Sequence, residues 1–164
     1  MTFKNTSYLG APGFTEVDTV ARVPLGTIIK GSSQTLGEGE FIYLLGVAST
    51  VLGDVVRYNA ATFQTVRLVN TAVQAMPVAV AMAAIVAARY GWYQITGQAT
   101  MKKTAVILGA NVPVFISATA GSVKAIASAG LQIVACRTQL LTTLSAAGTV
   151  LVTISRPHCQ SQIT

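Results

Sequence analysis

Five carboxylates, one histidine and two cysteines are the residues with which this chain could do acid–base, metal or nucleophilic chemistry. Glu16, Asp18, Glu38, Glu40 and Asp54 all stand in the first third, and no Asp or Glu follows Asp54. Hydrolytic and metal chemistry leans on carboxylates as base, acid, ligand or orienting group. Glu38 and Glu40 flank Gly39, and paired carboxylates can act as acid and base. At i, i+2 on an extended chain they point to one side, and no later carboxylate exists to face them. His158 precedes Cys159 near the C-terminus, but a metal site needs three or four converging ligands. Both residues therefore read as a solvated tail, with Cys159 a surface thiol and Cys136 a small core residue, a bond between the two cysteines being the alternative. GxSxG, GxGxxG and GxxxxGK[ST] are all absent. The expectation is a binding protein and not an enzyme, with no catalytic residue, no cofactor and no metal.

Composition narrows the class further. The 164 residues suit one domain with a real core. Charged residues make up 10 % of the chain and apolar ones 52 %, against about 25 % charged in an ordinary soluble domain. Such a chain either enters a membrane or has its surface covered by copies or a partner. The one membrane candidate, Ala72 to Ala88, is short, Ala-rich and broken by Pro77, whereas a spanning helix wants about 20 apolar residues. No membrane partner is expected, and the N-terminus lacks a signal-peptide pattern. Residues 1–54 carry three bases and five acids, while residues 55–164 carry eight bases and no acid. That field favours an acidic partner surface, and its binding would weaken with salt.

The elements that must position these residues are strands. From Pro24 onward, short runs rich in Val, Ile, Thr and aromatics alternate with Gly, Asn and Ser turns: Thr27–Lys30, Glu40–Val47, Asp54–Tyr58, Thr65–Val69, Val78–Met82, Trp92–Thr96, Val112–Ser117, Ser122–Ile126, Leu131–Arg137 and Thr149–Ser155. The spacing predicts an all-β fold, a jelly-roll-like sandwich or barrel. Ala83 to Arg89 reads as the one helical turn, and Gln139 to Ala147 as a loop. Residues 1–23 read as an extended N-terminal arm, 24–157 as the β-sandwich domain and 158–164 as a polar tail. Phe3, Lys4, Tyr8 and Phe14 are the arm's contact candidates. Arg89, Lys102, Lys103 and Lys124 are candidates for a cationic face. Nucleic-acid binders cluster their bases with exposed aromatics, and here the bases fall about one per strand. No direct nucleic-acid partner is expected.

Two long blocks carry a resemblance. They are GEGEFIYLLGVASTVLGDVVRYN (Gly37 to Asn59) and PVAVAMAAIVAARYGWYQITGQA (Pro77 to Ala99), with shorter matches at RVPLGT, TAGSV and ISRP. In this order they resemble the capsid decoration, or head cement, proteins of tailed bacteriophages, over roughly Pro24 to Pro157. The resemblance implies a β-rich module on the outer surface of the virion capsid. Such a module ties major capsid subunits together against the pressure of packaged DNA. It implies two partners, the major capsid protein and other copies of the chain as a dimer or trimer, with an arm reaching over a neighbour. The cationic, carboxylate-free later half departs from that family, which leaves the contact surface open.

Three rival functions follow from the same residues. One is a low-copy virion surface protein for host or glycan binding. Another is a small hydrolase, which would have to use His158 or the Glu38/Glu40 pair. The third is a nucleic-acid binder, which steeply salt-dependent retention of DNA would reveal.

Overall fold

A computed structural model describes residues 4–5, 10–70, 75–105, 109–140 and 146–160. The chain is all-β, with two sheets packed together. The first sheet holds β1 (Lys4–Asn5), β2 (Val17–Asp18), β3 (Ile28–Ser33), β4 (Gly37–Leu45), β5 (Val55–Tyr58), β6 (Thr65–Arg67), β7 (Val78–Ala81) and β8 (Tyr90–Gln94). Its order is β1-β3-β4-β8-β7-β5-β6, with β2 also on β8. The second holds β9 (Thr96–Lys103), β10 (Pro113–Ile116), β11 (Val123–Lys124), β12 (Gln132–Thr138) and β13 (Gly148–Cys159). Its pairings run β10-β11-β9-β13-β12, and β12 pairs back to β10.

Strand alternation divides the core into three clusters. On β5 and β7, Val55, Val78 and Val80 face the second sheet, where they meet Ala99, Met101, Val150, Val152 and Ile154. Val56, Ala79 and Ala81 point the other way and pack with Ile42, Leu44, Ile85 and Tyr93. On β4 and β8, Phe41, Tyr43 and Trp92 form the third cluster. The centres of these strands are therefore buried on both faces, which is why Val78–Met82 reads as an apolar run. Trp92 is a core residue as expected, but Ile95 belongs to a different cluster from it.

The third cluster is closed by the segment expected to be an arm. Phe14 is 4 % exposed and lies 4.0 Å from Phe41 between ring centroids. It meets Trp92 edge-on at 5.9 Å. Val23 is buried in the same cluster, and Ala11 and Leu25 pack against it. Trp92 donates its indole N–H to the Pro12 carbonyl at 3.0 Å. Burying one such aromatic contributes roughly 2–3 kcal/mol. Pro12, Phe14 and Val23 thus serve the core, and β1 pairs with β3 in the first sheet. Phe3 and Tyr8 lie outside the described residues.

Three further expectations need correction. Residues 83–89 form turns and no helix. Ile85 N–H bonds to the Ala83 carbonyl and Arg89 N–H to that of Val86, while Ala88 is left-handed at φ 56°. Burial of Ile85 against the second cluster outweighs the helix preference of its alanines. The strand expected over Trp92–Thr96 divides into β8, ending at Gln94, and β9, which begins at Thr96 and runs on to Lys103. β13 runs on through Pro157 to Cys159, which is fully buried and not a surface thiol. Residues 158 and 159 therefore close a strand and do not begin a tail. Part of the Gln139–Ala147 loop lies outside the described residues.

Candidate functional site

Four of the five carboxylates are held in ion pairs. Asp54, the last in the chain, is fully buried at the start of β5. Its Oδ2 accepts from Arg67 Nε at 2.7 Å and from the Val51 N–H at 3.1 Å. Lys102 Nζ stands 3.1 Å from Oδ1, off the line a hydrogen bond needs, so that oxygen has an ionic partner but no hydrogen bond. Arg67 also donates to the Ala120 carbonyl at 2.8 Å. Backbone bonds around Asp54 complete the junction: Lys102 N–H to Gly53, Val55 N–H to Gly121 and Ala81 N–H to Asp54. One carboxylate thus joins β6 of the first sheet to β9 of the second.

The other pairs also connect distant parts of the chain. Arg156 on β13 reaches Glu40 on β4 at 3.1 Å. Arg22 pairs with Glu16 and bonds to Asp18 Oδ1 at 2.7 Å. Asp18 Oδ2 accepts from the Tyr43 hydroxyl at 2.5 Å. Burial, and then that bond to Asp18, pushes the Tyr43 phenol well above its ordinary range. The early acids therefore work as staples for later bases.

The expected site residues do not converge. Lys102 is spent on Asp54. Lys103 is 4 % exposed and donates to the Ala146 carbonyl at 2.6 Å. Lys124 is half-buried and bonds to Ser128 Oγ at 3.2 Å. Arg89 is half-buried in the turn after Ile85. Lys102 and Lys103 line an open cavity of about 740 Å³ with Thr104, Thr119, Ser122 and Thr149. In the arm, Lys4 is exposed on β1, opposite Ser32, and Phe14 is in the core. Glu38 and Glu40 do share a surface hollow of about 370 Å³ with Lys30 and Arg156. There Glu40 is already paired with Arg156.

Nucleophiles are equally withdrawn. Burial pushes the Cys136 thiol up to about 12 and, as the leading cause, the Cys159 thiol up to about 11. Both stay protonated at neutral pH, and a protonated thiol is a poor nucleophile. Among the described residues no three of His, Cys, Asp and Glu gather to hold a metal ion. Likewise no helix among them is long and apolar enough to cross a membrane. No protein-family model, curated protein or solved structure matches the chain.

Proposed function

We propose that the protein is a structural component of a tailed-phage virion that binds the outside of the capsid and cements neighbouring major capsid subunits. The observation that carries the reading is the pair of sequence blocks, Gly37 to Asn59 and Pro77 to Ala99. In the fold these blocks are β4 to β5 and β7 to the start of β9, the strands buried on both faces. A doubly buried centre stapled by ion pairs suits a part that bears load. The finer form, a jelly-roll-like sandwich or barrel, belongs to the same reading, with the second sheet as the barrel-like part.

In this reading the arm contact is assigned to residues 1–9, because Pro12, Phe14 and Val23 serve the core. Adding the purified chain to particles depleted of it should restore their resistance to heat. A chain lacking residues 1–9 should bind less. Full occupancy by the truncated chain would remove the arm from the reading, and no binding by the full chain would remove the reading itself.

A further inference from the structure

β12 leaves its partner β10 midway. Phe115 pairs with Gln132 and Pro113 with Arg137, so only Val114 on β10 stands opposite the four residues Ile133 to Cys136. On its other side β12 slips against β13. Val134 pairs with His158 and Cys136 with Ile154, so Ala135 alone faces Ser155, Arg156 and Pro157. Both strands bend through left-handed residues there, Ala135 at φ 58° and Arg156 at φ 48°. Neither is a glycine, and each such residue costs about 1 kcal/mol or more. Strain of this kind persists only where the surroundings enforce it, and bulges commonly re-aim side chains at sites.

The double bulge opens a groove of about 450 Å³ on the outer surface. Its polar rim is Asn111, Gln132, Arg137, Thr153 and Ser155, and no carboxylate lines it. Arg137 is exposed and makes no ion pair or side-chain hydrogen bond among the described residues. Arg67, Lys102, Arg156 and Lys103 are, by contrast, spent on acids or carbonyls.

We infer that this groove takes an extended acidic segment of a partner protein, with a carboxylate on Arg137 and its backbone along the interrupted stretch of β12. Two features select that occupant. A planar guanidinium with nothing in its own chain to bind matches a carboxylate fork. On its β10 side, Ile133 to Cys136 have only Val114 opposite them, and a stretch short of ladder partners offers backbone groups to an extended segment. Cys136, with its thiol protonated, contributes a small apolar wall and no chemistry. The inference deepens the capsid-binding reading, on which the partner's identity rests.

The test uses the full, isotope-labelled chain and a blocked hexaglutamate peptide, followed by amide shifts. The expected result is a shift at Gln132, Ala135, Arg137 and Ser155. Arg137→Ala should weaken binding roughly tenfold, as loss of one charge-assisted pair gives, with an unchanged urea midpoint. Lys124→Ala should leave it unaltered. Shifts confined to the Lys102/Lys103 cavity, indifference to Arg137→Ala, or equal shifts with sulfate alone would overturn the assignment. The copy number of the chain on particles is a separate readout. Its absence there would sink the capsid reading and leave the peptide result standing.

Discussion

Replacing Asp54 by alanine strands two half-buried cations, Arg67 and Lys102, against a fully buried junction. Removing one partner of a buried pair costs about 3–5 kcal/mol, and the partial exposure of both cations places this loss near the low end, about 3 kcal/mol. The Glu40–Arg156 pair differs because Arg156 is 63 % exposed. Glu40→Gln should cost under about 1 kcal/mol. Urea unfolding of both variants checks the contrast, and equal losses would refute the assignment of Asp54 as the principal staple. The thiols give a pH signature. Their folded pKa values lie near 12 and 11, above the roughly 8.5 of an unfolded thiol. Above that pH the unfolded chain loses protons that the folded chain keeps, so stability is full below about pH 8.5 and falls as pH rises. Between about pH 9 and 10 the slope should approach 1.4 kcal/mol per unit for each thiol. Thermal or urea unfolding of the Cys136→Ala/Cys159→Ala chain should show that slope flattened.

Among the elements, β8 and β9 join the two sheets, and Gly97 sits near that junction. Its φ is +91°, and an added Cβ would stand 2.3 Å from the Glu38 carbonyl oxygen. Gly97→Ala should therefore cost about 2 kcal/mol or more, seen as a lowered unfolding midpoint. A neutral substitution would show that the β4–β9 approach is loose. The same glycine shows where the sequence stops being legible. Alternating or unbroken apolar runs marked β4, β5, β7, β8, β10 and β12, because burial on one or two faces writes itself into residue type. Gly97 follows Thr96 where the chain crosses between sheets and reads as the end of a strand, so β9 is hidden in the sequence. Phe14 was read as an arm anchor because a segment with sparse apolar residues carries no periodicity. Only the fold shows that those few residues cap Phe41 and Trp92. A count of bases cannot tell the candidate Lys102, consumed by Asp54, from Arg137, which was no candidate and is unpaired within the described residues. The bulge at Ala135 lies in a run, QIVACRT, that reads as an ordinary strand.

At the scale of the whole molecule, the uneven charge resolves into an internal arrangement. The acids before residue 55 draw bases from β6, β9 and β13, and the ion pairs of Asp54 and Glu40 tie the two sheets together. What is left over is a low-charge β module with a cationic groove and no assembled catalytic group among its described residues. On the proposed reading the module would act by holding, since many weak contacts over a lattice hold tightly through avidity. The central claim is that this chain is a stoichiometric part of a capsid surface. The most direct measurement is the copy ratio of the chain to the major capsid protein in purified particles, by quantitative mass spectrometry. The account expects a ratio near a simple fraction of one, with particle heat resistance lost when the chain is removed. A few copies per particle, or none, would contradict it and turn attention to a low-copy surface protein that binds host cells or glycans.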